Sequence, residues 1–236
     1  MSGLVLLSGW GIDARIWQPL TPYWPAGFSF HMPDWPGYAG RAVLPDPQDT
    51  SALANAMAAA LPSGSVWVGW SLGALLAVRL LDHLPAPRAI VMLGMGSRLC
   101  TPGGVTPAAL KAFRRAFAHD ALGAWRHFLD WQLEGEPDPP HARQRLSALI
   151  GPRPSAAPAT LAAGLDLLDR LNVSDRLAAP PCPILRLAGE QDPLLSDADL
   201  AAAEIRLPLA GHCPQISQPE ALAEQLVALG SRSAAS

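Results

Sequence analysis

Gly69-Trp70-Ser71-Leu72-Gly73 is the stretch on which the reading of this chain turns. It follows a compact apolar run from Ser65 to Val68 and opens onto Leu72 to His83, whose apolar spacing suits a helix. A serine between two glycines at a strand-to-helix junction implies a turn too tight for side chains at positions 69 and 73. Such a turn holds the serine backbone in a strained conformation and lifts its hydroxyl to the edge of a sheet. The spacing G-x-S-x-G in this setting predicts a nucleophile at Ser71, where an isolated match would predict only a turn serine.

Working outward, the same strand pattern recurs. Leu4 to Leu7 is a short apolar run ending in Ser8-Gly9-Trp10-Gly11, and Ala89 to Gly94 and Pro183 to Ala188 are similar. Each run is continuously apolar and does not alternate, as parallel strands covered on both faces should be. Shorter candidates lie at Ser29 to Met32 and Glu204 to Pro208. Helical periodicity fills Thr50 to Leu61, Leu72 to His83 and Pro219 to Leu229, so strands and helices alternate in a right-handed βαβ series. From about Ser97 to Leu177 the pattern becomes wholly helical: Pro107 to Ala118, Asp120 to Leu133, His141 to Ile150 and Ala156 to Arg170. Proline- and glycine-rich breaks at 135–140 and 151–154 punctuate it. The expected division is a core of residues 1–96 and 178–236 with a helical cap, residues 97–177, inserted into a single domain. Ser231 to Ser236 reads as a frayed tail.

Composition narrows the function classes. The 236 residues are 50% hydrophobic and only 16% charged, which is far from the signature of disorder. A net charge of -3 supplies no general field for nucleic acid or an anionic membrane. Lys111 is the sole lysine, so nearly all positive charge is arginine. Three cysteines, Cys100, Cys182 and Cys213, have neither disulfide-framework nor metal-ligand spacing, which fits a reducing cytoplasm. The apolar start is too short for a signal core, and nothing approaches the roughly 20 apolar residues of a membrane span. A cytoplasmic monomer without metal or organic cofactor is expected.

A serine hydroxyl is a weak nucleophile unless a general base takes its proton as attack proceeds. Of six histidines, only His212 lies late in the chain in a loop, Ala210-Gly211-His212-Cys213-Pro214, ahead of the last helix. The other five, His31, His83, His119, His127 and His141, are expected on surfaces or in the helical segment. The orienting acid should leave a strand before that loop, and Asp192 follows the Ile184 to Ala188 run. Glu190 is the competing carboxylate. Asp192 would accept the imidazole Nδ1–H, fix its tautomer and stabilise the imidazolium. The oxyanion formed on attack needs two N–H donors. Leu72, next after the nucleophile, should supply one, and Trp10, in the glycine-flanked loop after the first strand, the other.

With Ser71, Asp192, His212 and the Gly9-Trp10-Gly11 loop in place, the chain resembles the α/β-hydrolase superfamily over nearly its whole length. The resemblance implies an α/β-hydrolase fold: a mostly parallel sheet of about six strands flanked by helices, carrying the helical cap. A narrower likeness rests on Leu6-Leu7-Ser8-Gly9-Trp10-Gly11, Trp67-Val68-Gly69-Trp70-Ser71-Leu72-Gly73, Ala163-Gly164-Leu165-Asp166-Leu167-Leu168 and His212-Cys213-Pro214-Gln215-Ile216-Ser217. These segments are similar to those of the pimeloyl-[acyl-carrier protein] methyl ester esterases of biotin synthesis. That likeness implies hydrolysis of a small acyl methyl ester held on acyl-carrier protein. It also implies that Trp10, Leu72, Phe128, Leu129, Trp131 and Gln132 contact the substrate, and that Arg143, with Arg126 and Arg145 nearby, faces the carrier. Ser8 stands where the family usually has histidine, and the sheet should be smaller than the family's. A thioesterase or carbon–carbon hydrolase would use the same triad, and a non-catalytic binding protein could share the scaffold.

Overall fold

Leu4, Val5, Leu6 and Leu7 are all buried and form β1 (Leu4–Leu7). The computed structural model describes residues 3–232 and sets five strands beside it. These are β2 (Phe30–His31), β3 (Val66–Trp70), β4 (Ala89–Leu93), β5 (Ile184–Gly189) and β6 (Ile205–Leu207). Their order is β2-β1-β3-β4-β5-β6, and every pairing is parallel. The chain leaves β1 for β2 on one side and returns for β3 on the other, so the direction of winding reverses between β1 and β3. In open parallel sheets the crevice at the carboxyl ends of two such strands is where ligands bind. Leu7 lies opposite Gly69, which brings the loop after β1 beside the turn after β3.

The flanking helices are α1 (Thr50–Met57), α2 (Leu72–Arg79), α8 (Asp197–Ala201), α9 (Pro214–Ser217) and α10 (Pro219–Arg232). Between β4 and β5 run α3 (Pro107–His119), α4 (Ala121–Trp131), α5 (Pro139–Ile150), α6 (Pro158–Arg170) and the short α7 (Ser174–Ala178). Their starts are written in the sequence. Thr106, Asp120 and Asp138 each accept a backbone N–H of the first turn, and Pro107 and Pro139 take positions where no N–H is needed.

Some elements differ from expectation. Residues 14–23 form a 3-10 helix that buries Ile16, Trp17 and Leu20, although Pro19 and Pro22 lie inside it. Helices α1 and α2 stop earlier than their apolar periodicity and hand over to single 3-10 turns at Ala58–Ala60 and Leu80–Asp82. Helix α10 runs on past Leu229 to Arg232, into the stretch expected to fray. The rest of that stretch, residues 233–236, lies outside the described residues. Among the described residues no helix is long and apolar enough to cross a membrane.

The helical segment and the sheet share one continuous apolar core. Several polar ties reinforce it. The Trp125 indole donates to Gly11 O at 2.8 Å, and the Trp10 indole donates to Leu161 O at 2.8 Å. The Arg15 guanidinium, paired with Asp13, donates to the last carbonyls of α5, Leu149 O and Ile150 O. An indole N–H can only donate, so each of these buried ones is satisfied at a fixed carbonyl, and losing such a partner costs about 1–3 kcal/mol.

Candidate active site

Ser71 is the first residue after β3 and caps α2 at φ 55°, ψ -125°, a conformation that L-residues other than glycine rarely adopt. The strain persists because the surroundings leave no other path. Ser71 N–H donates to Leu93 O at the end of β4, and Ser71 O accepts from Ala74 N–H. A Cβ on Gly69 would lie 2.4 Å from Gly73 O and 2.6 Å from Ala74 N, and one on Gly73 would lie 2.5 Å from Ser8 O. Those obstacles are backbone and cannot rotate aside. Gly69→Ala is therefore expected to destabilise the fold by at least the ~1–3 kcal/mol of an overpacked core. The check is the urea midpoint, which should fall well below that of the parent.

His212 and Asp192 meet at the same sheet edge. Asp192 leaves the end of β5, and its Oδ1 accepts Leu194 N–H at 2.9 Å. Its Oδ2 lies 2.8 Å from His212 Nδ1, with both side chains wholly buried. A carboxylate only accepts, so this contact places a proton on Nδ1, and in the neutral ring that leaves Nε2 with the lone pair. The His212 ring packs against the Trp70 ring at 5.4 Å between centroids, and the Trp70 indole donates to His212 O at 2.8 Å. Gly94, just after β4, is the floor beneath the pair: a Cβ there would be 3.1 Å from His212 Nδ1 and 3.2 Å from Asp192 Oδ2. His212 Nε2 is buried and has no hydrogen-bond partner among the described residues, so no hydrogen bond joins it to Ser71 Oγ. Unliganded hydrolases commonly close that hydrogen bond only when substrate arrives. Glu190, the competing carboxylate, is exposed, and so are the five other histidines.

The loop after β1 crosses in front of Ser71, close enough that a Cβ on Gly9 would be 2.9 Å from Ser71 Cβ. Trp10 follows Gly9 in this loop, and Leu72, the next residue after Ser71, opens α2, so both expected oxyanion donors flank the serine. The loop is braced on every side. Trp35 Nε1 donates to Ser8 O at 2.8 Å, and Gly11 N–H donates to the Tyr38 hydroxyl at 3.1 Å. Burial pushes the Tyr38 phenol up to about 12, with the hydrogen bond from Gly11 opposing and Asp13 adding to the rise. The Trp10 ring makes edge contacts with Phe113, Phe117 and Phe128, so the indole belongs to the helical segment while its amide belongs to the sheet edge.

Ser71 opens onto a narrow apolar cavity beneath α3, α4 and α6. Among the expected contacts, Trp10, Phe128 and Trp131 line it. Leu129 and Gln132 do not line it, and both are fully buried. Leu72 lines a second, small apolar cavity, with Gly9, Tyr38 and Gly164. Arg143 is held by Asp130, Nε to Oδ1 at 2.6 Å, whereas Arg126 and Arg145 are exposed. Val105, Leu110, Phe113, Leu165 and Leu168 on the cavity wall carry no signal in the sequence that marks them out, since apolar residues at helical spacing read as core.

The sulfur beside the histidine is inert. Burial, reinforced by the Glu136 and Asp192 carboxylates, pushes the Cys213 thiol well above its ordinary range, so it offers no thiolate to compete with Ser71.

Comparison with known proteins agrees with this geometry. Residues 4–225 match the model of the alpha/beta hydrolase family. A pimeloyl-[acyl-carrier protein] methyl ester esterase from Klebsiella pneumoniae is 33% identical over 97% of this chain and 93% of its own length. Its counterpart from Pectobacterium carotovorum is 31% identical over 95% and 92%. Among solved structures, an esterase from Exiguobacterium antarcticum superposes with a TM-score of 0.82 at 16% identity, covering 98% of this chain and 92% of that one. With a parallel sheet, a strained serine between β3 and α2, and a family match from the first strand into the last helix, the chain belongs to the alpha/beta hydrolase family.

Proposed function

We propose that this chain is a serine carboxylesterase that removes the methyl group from a pimeloyl methyl ester carried on acyl-carrier protein, in biotin synthesis. The observation that carries the reaction is the buried Asp192–His212 pair at the sheet edge where Ser71 is held at φ 55°. The relatives' shared name carries the substrate.

Ser71 Oγ attacks the ester carbonyl carbon while His212 Nε2 takes its proton, and Asp192 stabilises the resulting imidazolium through Nδ1–H. The Trp10 and Leu72 amides donate to the oxyanion. As the tetrahedral intermediate collapses, the C–O bond to the methoxy group breaks and Nε2 gives that oxygen its proton, so methanol leaves. A water molecule, deprotonated by the same Nε2, then attacks the acyl-enzyme. Collapse returns the proton to Ser71 and frees the carboxylic acid. Phe128 and Trp131 hold the methylene chain in the apolar cavity, under residues 97–177 acting as a cap. The acidic carrier would meet the cap's exposed cations, where Lys111, Arg115 and His119 border an open depression. Arg143, paired with Asp130, would offer the carrier less free charge than these. The reaction needs no cofactor, and three free cysteines suit a reducing cytoplasm.

Expression in a strain lacking its biotin-pathway esterase tests the substrate. Growth without biotin is the expected result. Absence of growth despite folded protein that still reacts with a fluorophosphonate would refute the substrate and leave the esterase chemistry standing.

A further inference from the structure

Glu136 has only 4% of its surface exposed, and none of the ion pairs among the described residues includes it. It sits on the turn between α4 and α5. Its Oε2 accepts Gly211 N–H at 3.1 Å, and its Oε1 accepts Cys213 N–H at 2.7 Å. The two oxygens of one carboxylate thus hold the residues on either side of His212. The carbonyl of His212 is held by the Trp70 indole and its ring by Asp192. The turn is pressed against both loops. A Cβ on Gly135 would lie 1.8 Å from Gln191 O, and one on Gly211 would lie 2.8 Å from Glu136 Oε1.

Burying a carboxylate without a cation is unfavourable unless its oxygens are well hydrogen-bonded, and a neutral packed residue would serve the core at lower cost. What a carboxylate supplies is two strong acceptors on a rigid fork, spaced to receive two N–H groups two residues apart. We propose that Glu136 is a positioning residue for His212, a clamp reaching from the helical segment that sets the imidazole's pivot relative to Ser71. It touches no reacting atom and acts through the backbone. The inference rests on the reading of Ser71 and His212 as nucleophile and base.

Glu136→Gln keeps the shape but replaces one acceptor with an NH₂ group that faces an N–H donor, pushing one side of the loop away. Displacements of about 1 Å at a catalytic group can cost around 100-fold in rate. Labelling of Ser71 by a fluorophosphonate and kcat for a p-nitrophenyl ester are both expected to fall on that scale, with KM changed less than about 3-fold, since the cavity is untouched. The low-field proton resonance of the His212–Asp192 hydrogen bond should shift or broaden. Glu136→Asp, which retains two acceptors on a shorter arm, should recover part of the rate.

If the parent protein does not label at all, the hydrolase reading fails. If the parent labels, and Glu136→Gln matches it in labelling rate per folded molecule and in the low-field resonance, the clamp is overturned while the hydrolase reading survives. Should the Gln variant not fold, Glu136→Met, of similar length but with no acceptor, decides on the same two readouts, and parental values there overturn the clamp.

Discussion

Ser71→Ala is expected to lower kcat for ester hydrolysis by about a million-fold, the scale on which serine hydrolases lose turnover when the nucleophile is removed. No alternative nucleophile stands by, because Cys213 is buried and its thiol is held protonated. The fold should barely notice. The alanine would keep the same Cβ and the same strained backbone, and the Ser71 contacts that hold the turn are made by its main chain. The thermal midpoint should therefore stay within the shift of an inert substitution, ~0.5 kcal/mol. The paired measurement is esterase activity against a circular-dichroism melt. Turnover near the parental rate in a folded variant would end the proposed mechanism.

Asp192→Asn should cost about 10⁴-fold in kcat, and the reason is a count of donors. Asp192 accepts twice, from His212 Nδ1–H and from Leu194 N–H. An asparagine has one oxygen and one NH₂, so one of those two donors would face another donor whichever way the amide turns. The backbone of Leu194 cannot change its protonation, but the imidazole can. The stable arrangement points the amide oxygen at Leu194 and the NH₂ at Nδ1, which moves the ring proton to Nε2. In the proposed mechanism that nitrogen accepts the serine proton, so the base would be disabled with its geometry intact. KM should move little, and a fluorophosphonate should label the variant very slowly. A variant within tenfold of the parent in kcat would mean that Asp192 does not set the tautomer.

The legible parts of this molecule were those whose physics is local. Leu4–Leu7 and Ala89–Leu93 read as strands because burial on both faces leaves an unbroken apolar run. Ser71 could be found because its turn needs glycines at fixed offsets, and the structure puts backbone where those side chains would go. The 3-10 helix at 14–23 was hidden by prolines that mark loops elsewhere, and its burial is decided by α9 and α10 packing on it from the far end of the chain. Glu136 was invisible for a similar reason. Gly135-Glu136-Pro137-Asp138-Pro139-Pro140 reads as a solvated break, and its partners lie 75 and 77 residues downstream. Every residue of an amphipathic helix is a candidate for its inward face, and only the packing of α4 says that Phe128 and Trp131, but not Leu129 and Gln132, line the cavity at the serine.

Trp10 anchors its ring under α6 and its amide before the hydroxyl, so in this enzyme the roof and the reaction chamber share a timber. Swinging the roof outward would tear the indole from Leu161 and drag the Trp10 amide away from Ser71. In the proposed mechanism that amide is an oxyanion donor, so opening the roof and doing the chemistry exclude one another: the chamber is competent only while shut.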